Sequence, residues 1–590
     1  MNSTRDPDKL IVANCSGFFG DRFSAARQMV EGGPIDVLTG DYLAELTMAI
    51  LLKDTLKDPE RGYAKTFLKQ MEQIMGSCLD RNIKVVSNAG GLNPRALAGK
   101  LEEAAHKLGL APKIACITGD NLMGRLDDLQ ASGETFTHMD KGISLKDSGA
   151  TPITANAYLG GWGIAAALEN EADIVVCGRV ADAALTAGPA AWHFKWEKND
   201  WDRLAGAYAA GHITECGAQA TGGNYSFMDE VPSYRNVGFP IAEIFQDGSF
   251  VITKHPETGG LVSEGTVTAQ VLYEISTPGY LTPDVTVRFD TLKLESLGTD
   301  RVMGSGIRGE PPPETSKVCI NTLGGYRNSM TIVLTGLDIE KKAEIVEDVL
   351  FDSLGGKKQF RVADVRLIRS DKQDPLTNDE AFAYLRFTVI DDDQAKVARL
   401  SSGLVEMALA NIPGFTATAP PSRGTQAVVH WPCLVHSSHI SQSVSLPDKE
   451  ITVDSVQGGG KKANITPFEP EIPEVPGGKK VKKPLGRVFG ARSGDKGGNA
   501  NLGVWAKSPE AYAFLRQFLT SEKLKDLLPD CAPYKTDRYE LPNLWALNFD
   551  IHGILGDGVA ASTKSDPQAK TLGEYLRARI IEMPETITGK

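Results

Sequence analysis

Four polar side chains recur at helical spacing in the segment 211–224. His212, Glu215, Cys216 and Gln219 occupy positions i, i+3, i+4 and i+7, so a helix continuing through them would place all four on one face. A histidine beside a carboxylate can act as a general acid and base, and a thiol beside a base can act as a nucleophile. The alternative is a helix end with a half-buried histidine and a core cysteine. We assign His212, Glu215 and Cys216 to a catalytic set and Gln219 to substrate binding.

A glycine-rich loop ends the same segment. It contains Gly222, Gly223 and Asn224, and glycine lets the backbone approach a ligand closely because it carries no side chain. We therefore expect these three residues to contact the substrate.

Polar residues also follow five apolar, strand-like segments in the first half of the chain. In open α/β sheets, ligands bind beyond the carboxyl ends of the strands. Glycine, aspartate and asparagine are also ordinary turn and cap residues, which is the plainer explanation for any single position. Arginine is not a capping residue, and two arginines in the set favour a binding crevice. The expected substrate contacts are Asp21, Arg22, Asp41, Asn88, Gly90, Gly91, Asp120 and Arg179, and Asp182 joins the catalytic set.

Cofactor and metal motifs are missing from these turns. None of them matches GxGxxG after a strand or GxxxxGK[ST]. His430, Cys433, His436 and His439 are spaced three apart, but an extended strand would point such residues in opposite directions. We expect no metal and no cofactor, with coenzyme A present at most as part of the substrate.

Composition excludes several classes of protein. The chain has 590 residues and a formal net charge of -12, which argues against a nucleic-acid surface. No run approaches the ~18 apolar residues of a membrane span, and the eight dispersed cysteines are typical of reduced thiols. We expect a cytoplasmic homo-oligomer that binds a small molecule and contacts neither nucleic acid nor membrane.

The order of apolar segments predicts an α/β fold in several parts. Residues 1–285 alternate strand-like and helix-like segments, as a mostly parallel sheet does, and we place the active site there. Residues 286–457 hold a ferredoxin-like α+β module with the order β-α-β-β-α-β. A linker rich in Gly, Pro and Lys at 458–484 precedes a small α+β domain at 485–590.

Individual elements follow from the same periodicities. The N-terminal strands are expected at Leu10–Ala13, Asp36–Leu38, Ile83–Val86, Lys113–Ile117 and Ile174–Cys177, with a helix at Ile153–Leu168. The ferredoxin-like module is expected to contain Met330–Thr335, Ile339–Ser353, Val362–Ile368, Ala383–Val389, Gln394–Ala410 and Thr416–Ala419.

One loop of the C-terminal domain combines two cationic residues with three glycines. Successive backbone N–H groups of such a loop can form an anion nest, to which we assign Arg492, Ser493, Asp495 and Lys496. A serine–lysine nucleophile at Ser493 and Lys496 is the alternative, but neighbouring loop residues rarely converge in that way.

Several segments together resemble the acyclic terpene utilisation family of the AtuA type. They are SGFFGDR at 16–22, GDYLAE at 40–45, SNAGGLNP at 87–94, CGRVADAA at 177–184, GHITECGAQATGGN at 211–224, TGGLVSEGTVTAQVLY at 258–273 and RSGDKG at 492–497. The resemblance implies breakdown of acyclic terpenoids and branched acyl compounds as CoA thioesters, with a lyase or hydratase activity. It also implies a small C-terminal domain of the AtuA ferredoxin-like type. It brings no settled set of catalytic residues.

Two hypotheses from different classes follow. The first is an enzyme for a branched or terpenoid acyl compound, acting by C–C cleavage or by addition or loss of water. Glu215 or His212 would be its base, and Arg22, Arg179 and glycine N–H groups would hold acyl or phosphate charges. The second is a non-catalytic subunit that binds acyl-CoA or assembles with other proteins. The enzyme requires Glu215 and His212 to face a concave pocket near Arg179 or Asp182.

Overall fold

The computed structural model describes residues 6–460 and 465–588. By its internal contacts the chain divides into two compact units. The larger unit comprises Met1–Asn321, His430–Gly556 and Gln568–Lys590, and the smaller unit comprises Thr322–Val429 and Asp557–Pro567. The division into four segments expected from the sequence stays a prediction.

The first part of the chain alternates strands and helices. Its strands are β1 (Lys9–Asn14), β2 (Val37–Gly40), β3 (Lys84–Ser87), β4 (Ile114–Thr118), β5 (Pro152–Ala157), β6 (Ile174–Cys177), β7 (Pro240–Phe245) and β8 (Phe250–Lys254). Its helices are α1 (Ala25–Glu31), α2 (Glu45–Lys57), α3 (Lys65–Asp80), α4 (Pro94–Leu108), α5 (Leu126–Ala131), α6 (Leu145–Ser148), α7 (Trp162–Glu169), α8 (Ala184–Phe194), α9 (Trp201–Thr214) and α10 (Glu264–Val271).

The remaining elements are mostly strands. These strands are β9 (Gly279–Leu281), β10 (Thr286–Arg288), β11 (Lys293–Gly298), β12 (Arg301–Ser305), β13 (Arg308–Glu310), β14 (Thr315–Thr335), β15 (Val362–Ile368), β16 (Phe382–Asp391), β17 (Thr416–Ala417), β18 (Thr425–His436), β19 (Ser441–Ser445), β20 (Glu450–Asp454), β21 (Lys480–Pro484), β22 (Gly490–Lys496), β23 (Asn499–Trp505), β24 (Thr536–Leu541), β25 (Ala546–Ile551) and β26 (Ile580–Pro584). The helices are α11 (Ile339–Ser353), α12 (Gln394–Glu406), α13 (Pro509–Phe518), α14 (Ser521–Leu527) and α15 (Leu572–Ala578).

The central sheet of the larger unit has a parallel core. Strands β1, β2, β3, β6 and β4 lie side by side and run parallel, as the sequence predicts for these five segments. Antiparallel strands extend the sheet beyond β1 and beyond β4. Alternate residues of each core strand enter opposite hydrophobic cores; Val86 and Val175 face one, and Val85 and Val176 face the other. The carboxyl ends of the five strands therefore share one edge of the sheet.

The predicted helix at Ile153–Leu168 is wrong over its first part. Residues 152–157 form β5, which pairs with β14, and helix α7 begins only at Trp162. The β-branched pair Ile153 and Thr154 favours a strand, and Gly160 and Gly161 separate it from the helix. The partner strand lies more than 150 residues away in sequence, so local periodicity could not reveal it.

The smaller unit has the expected ferredoxin-like order. Its part of β14 pairs antiparallel with β16 and with β17, and β16 pairs antiparallel with β15. The resulting strand order is β17, β14, β16, β15, which is 4-1-3-2 along this module. Helices α11 and α12 bury their apolar faces in its core. The β-α-β-β-α-β prediction is confirmed.

The C-terminal segment of the larger unit is a separate small α+β structure. Strands β22, β23, β25 and β24 form an antiparallel sheet, and its core also buries α13, α14 and α15. The described part of the linker packs onto this C-terminal α+β structure, because Ile472 and Val475 contact its hydrophobic core. Within residues 6–460 and 465–588, no helix has both the length and the apolar character needed to span a bilayer.

The expected anion nest at 492–499 is a β-hairpin instead of a loop. Residues Gly490–Lys496 form β22 and pair with β23 through a two-residue Gly497–Gly498 turn. Gly497 has a φ of +63°, which glycine adopts without strain. Because these backbone groups belong to a ladder, they do not form a concave row of N–H donors.

Candidate functional site

The larger unit contains a cavity of about 1460 Å³. One wall comes from the turns at the carboxyl edge of the parallel strands and from the end of α9. A second set of lining residues, named the C-terminal wall, comes from β22, from residues 273–283 and from the stretch before α15. The cavity is therefore built jointly by the N-terminal α/β part and the C-terminal α+β part.

Most of the residues selected from the sequence line this cavity. They are Asp21, Asp41, Arg179, Asp182, His212, Glu215, Cys216, Gln219, Gly223, Asn224, Arg492, Ser493, Asp495 and Lys496. Residues from turns far apart in sequence are thus brought together with the 212–219 segment. The selected residues outside the cavity lining are Arg22, Asn88, Gly90, Gly91, Asp120 and Gly222.

Asn88 and Asp120 support the lining residues from behind. The Asn88 amide donates to Asp41 Oδ1 at 2.6 Å and accepts from the Tyr42 N–H at 2.8 Å. Asp120 Oδ2 accepts the backbone N–H of Arg179 at 2.9 Å and the Asn156 amide at 2.8 Å. Burial raises the pKa of Asp120 to about 6. These two residues position the turns and do not face the cavity.

Arg22 and the three glycines are also structural. The Arg22 guanidinium donates to the Val237 carbonyl at 2.8 Å and lies 5.0 Å from the centre of the Phe239 ring. A Cβ atom at Gly90 would lie 2.4 Å from the Cys177 carbonyl oxygen, so this position requires glycine for packing. Gly91 and Gly222 have φ values of +54° and +95°, which explains glycine at both without a ligand.

The helix carrying the four-residue stripe ends earlier than the spacing suggests. Helix α9 stops at Thr214, Glu215 caps it, and residues 217–221 form a 3₁₀ turn. Gly217 has a φ of +60°, which breaks the α-helix. Cys216 and Gln219 therefore reach the cavity from a turn. That turn packs directly on the loop after β1, because a Cβ atom at Gly17 in this loop would lie 2.5 Å from the Cys216 carbonyl carbon.

His212 and Glu215 form a close buried pair. The two atoms His212 Nδ1 and Glu215 Oε1 lie 3.4 Å apart, and the side chains are 2% and 8% exposed. His212 Nε2 donates to the Val271 carbonyl at 3.2 Å, which leaves the lone pair on Nδ1. Among the described residues, neither Nδ1 of His212 nor Oε2 of Glu215 has a hydrogen-bond partner. Two atoms that can transfer a proton therefore lie in residues of the cavity lining and form no hydrogen bond within the described structure.

Burial favours the neutral form of both members of the pair. Burial lowers the pKa of His212 to about 4. Burial, followed by the nearby carboxylates of Asp182 and Glu274, raises the pKa of Glu215 well above its usual range. Burial thus favours a protonated carboxyl group beside an uncharged imidazole, an arrangement that would supply one acid and one base.

Arg179 supplies the main positive charge beside the pair. Its Nη1 atom lies 2.9 Å from Asp182 Oδ1 and donates to the Leu43 carbonyl at 3.2 Å. The guanidinium also lies 4.2 Å from the centre of the Tyr158 ring. Asp41 is buried next to this ion pair, and burial raises its pKa well above the usual range. Arg179 is thus fixed in position by three independent contacts.

Cys216 lacks the surroundings of a reactive thiol. Burial, together with the carboxylates of Glu274 and Glu215, raises its pKa well above the ordinary value. A nucleophilic cysteine needs a lowered pKa and a nearby cation. The Cys216 thiol therefore stays protonated, which leaves the nucleophile role assigned from the sequence without electrostatic support.

The C-terminal wall contributes cations and a tyrosine. Lys496 donates to the Glu274 carbonyl at 2.8 Å. Lys570 contacts the Tyr273 hydroxyl and lies 3.4 Å from Asp495 Oδ1. Ser493 points away from this chemistry, since its hydroxyl donates to the Ala569 carbonyl at 2.6 Å and accepts the Gly573 N–H at 2.9 Å.

Sequence reasoning missed several cavity residues. Tyr280 lies with its ring centre 5.0 Å from that of His212, and burial raises the pKa of its hydroxyl well above the usual range. Tyr158 lies between Arg179 and Lys317, whose Nζ is 4.9 Å from the ring centre. Tyr273 and Glu274 follow Leu272, the C-terminal cap of α10. The sequence signals for the C-terminal wall are the motif ending at Tyr273 and the segment 492–496. Tyr280 lies in a segment without periodicity, and Tyr158 falls within the segment that the sequence predicts to be a helix.

The histidines of the segment 430–439 are not gathered around one point. His430 Nδ1 lies 3.3 Å from Cys319 Sγ, whereas His439 Nε2 lies 3.6 Å from Glu134 Oε1. The segment is strand β18 as far as His436, in agreement with its extended character. In the part of the chain that the structure describes, no three His, Cys, Asp or Glu residues are arranged to hold a metal ion.

Comparison with known proteins identifies the family. The family model described as acyclic terpene utilisation family protein AtuA matches residues 10–446. The model of the AtuA ferredoxin-like domain matches residues 483–582. No curated protein and no solved structure matches the chain. Since the first model covers well over half of the sequence, the chain belongs to the acyclic terpene utilisation (AtuA) family, with a C-terminal AtuA ferredoxin-like domain.

Proposed function

We propose that the protein is an enzyme that acts on a branched or terpenoid acyl compound by acid–base chemistry, with Glu215 and His212 as the proton-transferring pair. The observation that carries this proposal is the contact between His212 Nδ1 and Glu215 Oε1, 3.4 Å apart inside the cavity. Buried polar atoms normally form hydrogen bonds, whereas Nδ1 of His212 and Oε2 of Glu215 form none among the described residues. Such a buried carboxyl and imidazole are more typical of a catalytic site than of a binding protein.

The neutral state of the pair suits reactions next to a carbonyl group. His212 Nδ1 would accept a proton from the substrate, and the Glu215 carboxyl would donate one to a leaving hydroxyl or to a carbon atom. In this form the pair would catalyse addition or loss of water, or cleavage of a C–C bond. The substrate would be an acyl-CoA thioester or the corresponding acid.

The negative charge that develops on the carbonyl oxygen needs a hydrogen-bond donor. The Tyr280 hydroxyl is suited to this, because it lines the cavity beside His212 and its raised pKa keeps its proton in place. Arg179, held by Asp182, adds positive charge to the cavity from the strand-end turns. The cavity volume of about 1460 Å³ exceeds the usual range for small ligands, which supports a long or bulky substrate.

Turnover by paired variants tests the proposal. The full chain is incubated in deuterated water with branched and straight-chain acyl-CoA thioesters and their free acids, and products are followed by mass spectrometry. Glu215→Gln and His212→Asn should each lower turnover or deuterium uptake by about 10²-fold or more. The matched controls Glu102→Gln and His106→Asn change exposed residues of α4 and should leave it unchanged.

The outcome also separates the two classes of function. Binding of a thioester without any turnover, unaffected by Glu215→Gln, would support a non-catalytic subunit and would contradict the proposal. The cytoplasmic location and the homo-oligomeric state expected from the sequence stay predictions.

A further inference from the structure

Arg492 is a cation whose charge the fold does not neutralise. Its side chain lines the cavity from strand β22. Among the described residues, no carboxylate lies within ion-pair distance of its guanidinium, and its one hydrogen bond is a long contact of 3.5 Å to the Asn224 carbonyl. Most of its five N–H donors are therefore available to a ligand.

The neighbouring cations differ from Arg492 in this respect. Lys570 lies 3.4 Å from Asp495 and 3.5 Å from Glu274, so two carboxylates balance its charge. Lys496 donates to the Glu274 carbonyl at 2.8 Å. Both lysines are thus engaged by closer polar contacts than the 3.5 Å contact of Arg492.

Tyr273 holds the guanidinium in a defined orientation. The Arg492 guanidinium carbon lies 4.6 Å from the centre of the Tyr273 ring, a cation–π contact. Lys570 contacts the hydroxyl of the same tyrosine and fixes the ring in turn. An arginine stacked on a ring presents a planar, pre-organised fork of N–H groups, which matches carboxylate and phosphate geometry.

The glycine-rich loop meets Arg492 at the cavity. Gly223 and Asn224 line it, and Asn224 has a φ of +59°, so the loop turns sharply at the contact with Arg492. Two features that the sequence marked separately for anion binding, the 222–224 loop and the 492–496 segment, are therefore adjacent. The binding group at this point is a side-chain fork, since the 490–496 backbone is engaged in its hairpin.

We propose that Arg492, stacked on Tyr273 beside the 223–224 loop, binds an oxyanion of the substrate, either a carboxylate or a phosphate. This inference rests on the proposed function, because it names the charged end of the same substrate. It assigns the C-terminal domain a share in substrate recognition. A carboxylate would belong to a free acid, and a phosphate would belong to coenzyme A.

Calorimetric titration of the full chain tests this assignment. The probes are a branched acyl-CoA, coenzyme A alone, the matching acyl-pantetheine, the free branched acid and its methyl ester. The variants are Arg492→Gln and Arg492→Lys, with Arg487→Gln as the control. Arg487 is exposed in the same domain, so its replacement makes the same charge change outside the cavity.

The pattern of losses identifies the anion. Arg492→Gln should weaken binding of at least one anionic probe by about tenfold to a hundredfold, whereas Arg487→Gln should not. A loss for acyl-CoA and coenzyme A but not for acyl-pantetheine indicates a phosphate, and a loss for the free acid but not for its ester indicates a carboxylate. Arg492→Lys, which keeps the charge and loses the fork, should give an intermediate loss.

Two results would overturn the inference. One is unchanged affinity of Arg492→Gln for every anionic probe, and the other is failure of the unaltered protein to bind any of them. Failure of the proposed function is seen separately, because Glu215→Gln would then keep full turnover while the Arg492 variants could still lose binding.

Discussion

The Nδ1 atom of His212 lies 3.4 Å from Oε1 of Glu215, at the point where helix α9 ends. Burial favours the uncharged form of both side chains, so the pair places a proton donor and a proton acceptor in adjacent positions.

Glu215 should make the folded protein less stable as the pH rises. Its pKa in the folded state is raised above the unfolded value of about 4.5, so the native state holds the proton more tightly. The resulting stabilisation is complete below pH 4.5 and is lost progressively as the pH rises towards the folded pKa. The Glu215→Gln variant has no titratable group at this position, so this decrease in stability with rising pH should be absent from it.

Thermal unfolding of both proteins across pH 5 to 9 measures this effect. The melting temperature of Glu215→Gln relative to the unaltered protein should increase with pH. His212 acts with the opposite sign, since its lowered pKa costs stability as the pH falls from about 6.5 towards about 4. A difference between the two proteins that is constant with pH would show that Glu215 titrates normally.

Removal of the Asp182 charge should shift the pH dependence of activity. After burial, the negative charge of Asp182 contributes most to the raised pKa of Glu215. Asp182 also forms an ion pair with Arg179. Asp182→Asn removes a negative charge and releases Arg179, and both changes favour the ionised carboxylate. The alkaline limb of the pH–rate profile should therefore move to lower pH. Asp127→Asn, an exposed control on α5, should leave the profile in place, and an upward shift in Asp182→Asn would be evidence against this electrostatic account.

Loss of the Tyr280 hydroxyl should lower turnover without unfolding the protein. Tyr280→Phe keeps the ring contacts to His212 and Phe289, whose centres lie 5.0 and 5.7 Å away. If the hydroxyl stabilises charge on the carbonyl oxygen, kcat should fall on the order of 10²-fold with little change in KM. Tyr575→Phe, on α15 and outside the cavity lining, is the control. Unaltered kcat in Tyr280→Phe would remove this residue from the mechanism.

Ser493 should affect stability and leave the chemistry intact. Its buried hydroxyl links the Ala569 carbonyl and the Gly573 N–H. Ser493→Ala should lower the free energy of unfolding by about 1–3 kcal/mol, because it leaves buried partners unsatisfied. Turnover per folded molecule should be retained, and exposed Ser565→Ala should change neither quantity. Loss of turnover in a well-folded Ser493→Ala variant would instead support the alternative in which Ser493 is the nucleophile.

Elements with strong local periodicity were predictable from sequence. Helix α11 and strand β15 have the bounds Ile339–Ser353 and Val362–Ile368 that their patterns predict. Strand β5 was not predictable, because it exists through pairing with the distant strand β14. The glycine content of residues 492–499 predicts a loop, but this segment belongs to the hairpin at 490–505, where its glycines form a tight turn and part of a strand.

The candidate site was predictable in its residue types and less so in its geometry. Strand-end turns in a parallel sheet must share an edge, which is why Asp41, Arg179 and Asp182 meet at the cavity. Helical spacing predicts one shared face for His212, Glu215 and Cys216. Helix α9 ends at Thr214, before Glu215 and Cys216, and the three side chains nevertheless line the same cavity. Tyr280 comes from a short strand with no pattern of its own, so only the tertiary fold reveals its position.

Infrared difference spectroscopy on Glu215 tests the central claim most directly. The spectrum of the unaltered protein minus that of Glu215→Gln at neutral pH reports whether this one carboxyl group carries a proton. We predict the band of a protonated carboxyl group at pH 7, replaced by carboxylate bands only at higher pH. Carboxylate bands alone at pH 7 would contradict the account, because no neutral acid would then stand beside His212.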